Sequence, residues 1–305
     1  MIESHVAPPV VVVTGANGFV GSRVSAALVD RGATVRAVVR RAGTAPALAG
    51  LEERVGEFHD PELAASVVVG ATAVVTTVHP MGSEREVQHR IGVEGTPVLA
   101  RAARDAGVER LVHVSTAAVY DRSPGAGDVD EHAPLVGEDA NAYATTKRDT
   151  DAALAAVEGL TTVLLRPPAI LGPGTSSVWN AVRPARMRDD PEARQANPDT
   201  TFAWVHVDDL VPLMADLAAG RVATSTDPDE GPVEGGCTAV NVAAEPATAR
   251  DYYETVTRTL GLDPVWEDGP AWTGRILADR AAAWGWTPTV DLARALDEIA
   301  EGLRG

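Results

Sequence analysis

The amino-terminal part of the chain alternates apolar runs with segments of helical periodicity. Four valines from Val10 to Val13 precede a glycine-containing turn, a helix-like stretch of mixed polarity and the apolar segment TVRAVV. A continuous apolar run that leads into a helix is typical of a strand covered on both faces, as in a parallel sheet. We therefore predict that the chain begins with a strand, a helix and a second strand.

The same alternation continues through the first half of the chain. Pro167 and Pro168 end its last strand, because proline does not fit inside a central strand. Strands that alternate with helices predict an α/β fold, a Rossmann-type doubly wound parallel sheet with right-handed connections. The predicted strands cover 71–78, 110–115 and 161–165, and the predicted helices cover 87–106 and 142–157.

Beyond Ile170 the pattern becomes mixed. Helical runs are predicted at 207–219, 249–260 and 292–303, with polar loops between them, one of which contains Cys237. Ligands of open α/β sheets bind at the carboxyl ends of the strands, so we expect this part to form a small mixed substrate-binding region over that edge.

Composition and charge restrict the possible partners. The chain has 45% hydrophobic and 23% charged residues, as in an ordinary globular protein, and a formal net charge of −17. This charge repels phosphate backbones and anionic membranes, so we expect neither nucleic acid nor a membrane as a partner. Neither a membrane span nor a signal peptide is evident, which predicts a cytoplasmic protein. The single cysteine, Cys237, cannot form an internal disulfide.

A glycine motif after the first strand predicts a dinucleotide site. Gly15, Gly18 and Gly21 are spaced G-x-x-G-x-x-G between strand and helix. Glycine is needed there for the sharp turn, for close approach to a pyrophosphate and for tight packing of helix on strand. Asn17, Phe19 and Val20 belong to the same turn and are expected to contact the cofactor.

The end of the second strand indicates which dinucleotide binds. Arg40 and Arg41 follow Val39, where an NAD-binding chain would have a carboxylate for the ribose hydroxyls. A guanidinium group forms forked hydrogen bonds with a phosphate, so we expect NADP(H) to be preferred over NAD(H).

A tyrosine and a lysine predict acid–base chemistry. Tyr143 and Lys147 are four residues apart in a predicted helix and share one face. A nearby ammonium group favours the phenolate, which suits proton transfer to or from a carbonyl or alcohol oxygen. Ser115 and Thr116 follow a predicted strand and could hold that oxygen; the residues alone leave either hydroxyl possible.

These segments resemble an extended short-chain dehydrogenase/reductase, the superfamily of NAD(P)-dependent epimerases, dehydratases and ketoreductases. The matching stretches reach to about residue 215 and, more loosely, include WGWTPTVDL near the end. They are TGANGFVG, VRAVVRR, GVEGT, HVSTAAVY, YATTK, LRPPAILGPG and FAWVHVDDL.

The resemblance implies roles for individual residues. Tyr143 would donate the proton, Lys147 would bind the nicotinamide ribose and lower the pKa of the tyrosine, and Thr116 would polarise the substrate. The remaining expected contacts are Thr77, Val78 and Pro168 for the cofactor, and His79, Ser115, Trp179, Asn180 and Trp204 for the substrate; no metal is expected.

Several positions depart from the family pattern. Gly92 stands where relatives often have asparagine, and Asp121 stands where they have glycine. Glu57 and Phe58 replace the usual Asp-Leu pair near the adenine. Asp208 or Asp209 is expected only to cap the following helix.

The leading functional hypothesis is an NADPH-dependent reductase of a ketone or aldehyde in a small metabolite. A nucleotide-sugar epimerase or dehydratase is the alternative, although dehydratases usually have an acidic pair where this chain has Ala117 and Ala118. A non-catalytic NADP(H)-binding sensor is the second alternative. The partner is expected to be a small carbonyl or alcohol substrate, and the resemblance also allows a homodimer.

The predicted domain division follows from these elements. Residues 1–9 would be a flexible amino terminus, 10–170 the NAD(P)-binding core and 171–305 mostly the substrate-binding region. Segments 201–220 and 238–244 would return to the core.

Overall fold

The computed structural model describes residues 8–304. The prediction of a flexible segment at 1–9 therefore lies mostly outside the described residues. Within the described part, none of the helices is long and apolar enough to cross a membrane.

Thirteen strands form within residues 8–304. They are β1 Val10–Thr14, β2 Thr34–Val39, β3 Leu51–Val55, β4 Ala73–Thr76, β5 Arg110–Val114, β6 Thr161–Arg166, β7 Ala169–Leu171, β8 Gln195–Ala196, β9 Thr201–Phe202, β10 Trp204–His206, β11 Cys237–Asn241, β12 Ala247–Thr248 and β13 Val265–Trp266.

Ten α-helices occur in the same range. They are α1 Phe19–Asp30, α2 Pro61–Val67, α3 Arg85–His89, α4 Thr96–Asp105, α5 Ala142–Ala155, α6 Arg183–Asp189, α7 Val207–Ala218, α8 Ala249–Leu260, α9 Asp279–Ala283 and α10 Leu292–Arg304. Segments Arg90–Gly95 and Val178–Val182 are π-helical, and Ala117–Val119 and Pro191–Arg194 are short 3₁₀ turns.

The seven-stranded sheet confirms the predicted Rossmann-type fold. Its strand order is β11-β6-β5-β4-β1-β2-β3. Strand β1 pairs in parallel with both β2 and β4, and β2–β3 and β4–β5 are also parallel. The strand order changes direction between β1 and β4, and the carboxyl ends of strands at such a switch point are where doubly wound sheets bind ligands.

The described chain divides into two compact units. The first unit comprises residues 8–114, 146–164 and 211–238. Its core is the apolar side chains of β1, β2 and β4 together with the inner face of α1, where Val24 and Leu28 are fully buried. Burial on both sides explains why β1 is a continuous run of valine rather than an alternating pattern.

The second unit comprises residues 115–145, 165–210 and 239–304. One apolar cluster brings Trp204 and Phe202 against Tyr252 of α8 and Ile299 of α10. Helix α8 begins with a capping box, in which Thr248 accepts from the Asp251 N–H and the Asp251 carboxylate accepts from the Thr248 N–H. A second cluster packs Val119 and Tyr120 against Trp272 and Ile276.

The predicted helix 87–106 is interrupted by the π-helical segment Arg90–Gly95. A side chain at Gly92 would place its Cβ 2.7 Å from Oγ1 of Thr150, and one at Gly95 would place it 2.8 Å from Cβ of His59. Larger side chains at Gly92 and Gly95 would collide with these neighbours. The π-helical segment therefore contains glycine at the two positions where other segments pack directly against its backbone.

Two expectations outside the glycine turn need correction. Cys237 begins strand β11 and is not in a loop.

Asp209 does not cap α7. Its carboxylate accepts from the Thr289 N–H at 3.0 Å, the Thr289 hydroxyl at 2.6 Å and the Val290 N–H at 3.1 Å. Asp208 pairs with Arg294 at 2.7 Å. Both carboxylates lie in the first turn of α7, and partners close to the start of α10 in sequence bind them instead of the α7 N–H groups.

Candidate active site

The turn between β1 and α1 requires glycine at two of its three motif positions. Gly15 has a φ of +70°, and a Cβ there would lie 2.7 Å from Oγ1 of Thr77. A Cβ at Gly21 would lie 2.0 Å from the carbonyl oxygen of Gly15. Glycine at Gly15 therefore permits the left-handed turn, and at Gly21 it lets the helix pack on the strand.

The same turn fits a dinucleotide pyrophosphate. A Cβ at Gly18 would meet only the carbonyl oxygen of Gly15, at 3.2 Å. Apart from the chain neighbours of Gly18, no other atom of residues 8–304 lies within 4 Å of that position, so a pyrophosphate can approach the Gly18 backbone closely. Helix α1 has no side-chain cap and no acidic residue in its first turn. Its N-terminal N–H groups are thus available to an anion, and Asn17, Gly18, Phe19 and Val20 are the residues that would hold it.

The carboxyl end of β2 presents two cations. Arg40 and Arg41 are exposed, and neither guanidinium has a hydrogen-bond partner within residues 8–304. The carboxylate of Glu53 on the adjacent strand is occupied by the N–H groups of Gly43 at 2.8 Å and Ala45 at 3.0 Å. These bonds lower the pKa of Glu53, Gly43 having the larger effect.

The predicted cofactor residues after β4 and β6 have clear surroundings. The Thr77 hydroxyl donates to the Thr14 carbonyl at 2.8 Å, and this bond joins the ends of β4 and β1. Val78 is half-buried, and its Cγ2 atom lies 3.0 Å from the position that a Cβ at Gly15 would take. Pro168 is half-buried between β6 and β7.

Lys147 is buried in the first unit. It is 3% exposed, and its Nζ donates to the Val114 carbonyl at 2.6 Å. Burial lowers the pKa of Lys147 to about 8, against the opposing effect of Asp151. The ammonium group is therefore fixed at the carboxyl end of β5, immediately before Ser115 in the chain.

His79 belongs to a polar network in the same unit. Its Nε2 lies 3.0 Å from Oε1 of Gln88, which also accepts the Thr146 hydroxyl at 3.2 Å. An amide oxygen is an acceptor only, so His79 carries its proton on Nε2 in this arrangement. Burial, with the charge of Lys147, lowers the pKa of His79 to about 4, and the ring is neutral near pH 7.

The network contains residues that the sequence did not single out. Gln88 is 5% exposed and Thr146 is 1% exposed. Nδ1 of the buried His113 lies 2.6 Å from Oγ1 of Thr76, and burial holds the pKa of His113 well below its usual value. The position of Gln88 one turn before Gly92, in the segment matching the family, was the signal that could have identified it.

The two candidate hydroxyls differ in their hydrogen bonding. Ser115 is 3% exposed, its N–H donates to the Leu165 carbonyl at 2.7 Å, and its Oγ has no partner in the described residues. Oγ1 of Thr116 accepts from the Ala118 N–H at 3.1 Å, which caps the following 3₁₀ turn. The Thr116 oxygen is thus held in place while its O–H can still donate.

A buried polar group fixes the backbone after these hydroxyls. The Tyr120 hydroxyl donates to Oδ1 of Asn241 at 2.8 Å and accepts from Nη1 of Arg166 at 2.9 Å. The backbone N–H of Asn241 donates to the Glu131 carboxylate at 2.8 Å. Tyr120 and Arg166 lie in two separate matching stretches and Asn241 lies outside them, so their meeting was not expected from the sequence.

Tyr143 lies in the first turn of α5. Oδ1 of Asn141 accepts from the Ala144 N–H at 3.0 Å, which explains why the helix begins here. Tyr143 is half-buried, and Lys147 follows one turn later in the same helix. Arg122 is close enough for its charge to interact with that of Tyr143.

The three substrate residues expected from the later part of the chain have different surroundings. Trp204 is 1% exposed in an apolar cluster, and its Nε1 donates to the Glu245 carbonyl at 2.9 Å. The ring is enclosed by other side chains, and the expected substrate contact of Trp204 stays a prediction. Trp179 is half-buried and packs edge-on against Phe202 and Tyr252. Asn180 accepts from the Gly172 N–H at 2.9 Å.

A family model that describes NAD dependent epimerases and dehydratases matches residues 11–225. The chain belongs to the NAD dependent epimerase/dehydratase family. This membership confirms the predicted place among the extended short-chain dehydrogenases/reductases, and with it an NAD(P)-type cofactor.

Two curated relatives of this family member differ in coverage. A 4-hydroxy-2-methyl-3-oxo-4-farnesyl-3,4-dihydroquinoline-1-oxide ketoreductase of Stigmatella aurantiaca is 34% identical over 58% of this chain and 56% of its own length. A 3-diazoavenalumate denitrifying reductase of a Streptomyces species is 30% identical over 93% of this chain and 90% of its own length. The chain spans about half the length of several other curated relatives.

Solved structures of low identity share the fold. The Bordetella bronchiseptica enzyme WbmG, solved in complex with NAD, has a TM-score of 0.74 and 20% identity over 99% of this chain and 97% of its own. The family member described here therefore shares its fold with that enzyme along essentially its whole length. No group of three or more metal-ligating side chains occurs within residues 8–304.

Proposed function

We propose that this protein is an NADPH-dependent reductase of a ketone or aldehyde in a small metabolite. The observation that supports this most strongly is the arrangement of helix α5. A half-buried phenol, Tyr143, precedes by one turn the buried ammonium group of Lys147. A positive charge beside a phenol favours the phenolate and so eases proton transfer near neutral pH.

The residues have distinct roles in the proposed reaction. NADPH, when bound, supplies the hydride that reduces the carbonyl carbon. Tyr143 donates its phenolic proton to the carbonyl oxygen, which becomes the hydroxyl of the alcohol product. Thr116 donates a hydrogen bond to the same oxygen, because its own oxygen is fixed by the Ala118 N–H. Lys147 stabilises the phenolate that remains on Tyr143.

The preference for NADPH rests on Arg40 and Arg41. They are exposed at the end of β2 without hydrogen-bond partners in the described part of the chain, and the nearby Glu53 is already occupied by backbone N–H groups. A 2′-phosphate would give either guanidinium a charged partner. The glycine turn, Thr77, Val78 and Pro168 would hold the rest of the cofactor.

The proposed substrate class is supported by the names of relatives and not by a pocket. One curated relative is named a ketoreductase and another a 2-alkyl-3-oxoalkanoate reductase. We therefore place the substrate among small carbonyl metabolites, with His79, Ser115, Trp179 and Asn180 as the proposed contacts. A dehydratase cycle is less well supported, since Ala117 and Ala118 supply no acidic group. An epimerase cycle is less well supported because the end of β2 has Arg40 and Arg41 and no carboxylate for NAD. Cytoplasmic location and a homodimer remain predictions from the sequence.

A second candidate function is supported by the relative that matches over nearly the whole chain. That protein is named a 3-diazoavenalumate denitrifying reductase. In the corresponding reaction a hydride would add to a diazonium compound, the C–N bond would break and dinitrogen would leave with its bonding electrons. No proton from Tyr143 enters this balance, so a Tyr143→Phe variant separates the two candidates.

A panel of acceptors tests the proposal. The panel contains nucleotide ketosugars, aromatic and polyketide-type ketones, simple aldehydes and an aryl diazonium salt, and NADPH oxidation is followed at fixed pH. The proposal expects turnover with at least one ketone or aldehyde and its loss in Tyr143→Phe. Turnover with the diazonium salt alone, retained in Tyr143→Phe, would replace it by the second candidate; cofactor binding without any turnover would favour a sensor.

A further inference from the structure

Arg122 has an unusual position in the second unit. It follows Asp121 in the loop after the Ala117–Val119 turn and is half-buried. Its Cζ lies 5.5 Å from the ring centre of Trp272. That ring is itself fixed, because Trp272 is 4% exposed and its Nε1 donates to the Gly127 carbonyl at 2.8 Å. The guanidinium group therefore rests on a rigid aromatic surface.

The guanidinium of Arg122 has no hydrogen-bond partner among residues 8–304. Every other arginine that is buried or half-buried in that range makes at least one hydrogen bond, as Arg166 does to Tyr120 and Arg183 to Tyr253. Arg122 also has no carboxylate within ion-pair distance among the described residues. Five N–H donors are thus unmatched in a partly desolvated place, which is costly unless a ligand provides acceptors.

Arg122 is also near the proposed proton donor. Burial lowers the pKa of Arg122, and the charge of Tyr143 opposes that shift. Both residues belong to the second unit. A substrate whose carbonyl oxygen contacts Tyr143 would therefore bring its other substituents within reach of the Arg122 guanidinium.

The charge of the whole protein makes a local cation informative. A formal net charge of −17 produces a field that repels anions. An anionic substrate consequently needs a specific positive group, and a neutral substrate does not. A planar guanidinium matches the two oxygens of one carboxylate in charge and in geometry.

We propose that Arg122, supported by Trp272, binds a carboxylate of the substrate, so that the carbonyl compound reduced by this protein is an acid. This inference rests on the proposed reductase function for its kinetic consequences, but the anion site itself can be tested by binding alone. It assigns substrate selectivity to a residue outside the family motifs.

The kinetic test compares two ketones of nearly equal shape. Wild-type protein with NADPH is assayed on 4-acetylbenzoate and on 4-acetylbenzamide, which lacks the charge. The proposal expects a higher kcat/KM for the acid, and Arg122→Gln should lower the acid-to-amide ratio roughly 10-fold to 100-fold, mainly through KM. Arg122→Lys keeps the positive charge but cannot form the two parallel hydrogen bonds of a guanidinium group, so its acid-to-amide ratio should be intermediate.

Arg275→Gln is the matched control. It removes one arginine charge from the same unit, but Arg275 is exposed and already paired with Asp128 at 2.7 Å. Its acid-to-amide ratio should stay within about twofold of wild type. Equal changes in Arg122→Gln and Arg275→Gln would show an effect of net charge alone and would overturn the proposal.

Calorimetric titration of benzoate, benzamide and phenylphosphonate into the NADP⁺-loaded protein tests the carboxylate site at Arg122 separately from the reductase function. Tighter binding of benzoate than of the other two, lost in Arg122→Gln, supports the carboxylate site even if no carbonyl compound of the acceptor panel is reduced, in which case the reductase proposal fails alone. Preferred binding of phenylphosphonate, or no preference for benzoate over benzamide, would overturn the carboxylate site even if the amide is reduced.

Discussion

The surroundings of Lys147 and those of Tyr143 differ in how far the fold satisfies their polar groups. Around Lys147, in the first unit, hydrogen bonds join Lys147 to Val114, and His79 and Thr146 to Gln88. In the second unit, which contains Tyr143, the Ser115 hydroxyl and the Arg122 guanidinium lack hydrogen-bond partners in the described residues. In the first region the protein satisfies the groups that hold Lys147 and His79, although Nε2 of the buried His113 has no partner among the described residues. The second region leaves a hydroxyl and a guanidinium group that a ligand can satisfy.

This difference suggests a division of work. A polar group whose hydrogen bonds are made by the protein keeps a fixed charge and a fixed position. Electrostatic stabilisation of a transition state requires groups that are fixed in this way before the reaction. Groups that are unsatisfied gain most from a ligand, since its binding removes their desolvation cost. Substitutions near Tyr143 should therefore change chemistry and substrate choice, and substitutions in the first unit should change cofactor choice and pH dependence.

The largest expected effect is that of Tyr143→Phe. Loss of the phenolic proton should lower kcat for carbonyl reduction by roughly 10²-fold to 10⁴-fold. The affinity for NADPH, measured by fluorescence titration, should stay within about twofold, because the glycine turn is unchanged. A loss of affinity as large as the loss of kcat would contradict the separation of the two regions.

Arg40→Asp should change the choice of cofactor. Removal of a charge-assisted hydrogen bond to the 2′-phosphate, and the new repulsion, should lower kcat/KM for NADPH roughly 10-fold to 100-fold while that for NADH changes little. Arg54→Asp is a suitable control, since Arg54 lies on β3 and is paired with Glu52 at 2.7 Å. Equal losses with both cofactors would refute the assignment of NADPH.

The pKa of Lys147 predicts a pH dependence of activity. Because that pKa is lowered to about 8, the ammonium group loses its proton as the pH rises through this value, and kcat/KM should fall above it. A profile that remains flat to about pH 9.5 would show that this charge is not required for the reaction.

The same group predicts a change in stability with the opposite sign. The folded-state pKa of Lys147 lies below its usual value of 10.5, so the unfolded chain binds more protons between these two values. The free energy of unfolding of wild type relative to Lys147→Met should therefore rise between about pH 8 and pH 10, by roughly 1–3 kcal/mol. Urea unfolding of both proteins at several pH values measures this difference.

The smallest effect on activity is expected at Asp209, whose hydrogen bonds go to Trp286, Thr289 and Val290 and to no candidate site residue. Asp209→Asn weakens the three hydrogen bonds from Thr289 and Val290 and should lower the free energy of unfolding by about 1–3 kcal/mol. The kcat of the folded variant should be unchanged at low temperature. A proportionate loss of kcat would show that this segment influences the reaction.

The sequence predicted elements whose pattern is local. The valines of β1, the glycine turn, the YATTK segment of α5 and helix α8 could each be identified because period, capping and turn residues lie within one short stretch. Strand β3, with the sequence LEERV, escaped notice because three of its five residues are charged and none is buried. Its pairing with β2 is seen in the folded sheet and could not be inferred from its own composition.

Contacts between distant segments could not be predicted from the sequence. The meeting of Arg122 with Trp272, and of Tyr120 with Arg166 and Asn241, depends on the packing of the second unit. Trp204 shows the converse: its motif suggested a substrate contact, but the packed ring is enclosed. A motif therefore locates the segments that form a site, but it does not show which atoms each side chain contacts.

Isotope transfer is a direct test of whether NADPH reduces a carbonyl compound to an alcohol in a net reaction. The protein is incubated with NADPH carrying deuterium on the transferable position and with the best ketone or aldehyde from the acceptor panel, and the product is examined by mass spectrometry. We expect an alcohol with one deuterium on the former carbonyl carbon and one NADP⁺ formed per product. Product that forms without deuterium and without consumption of NADPH would contradict it.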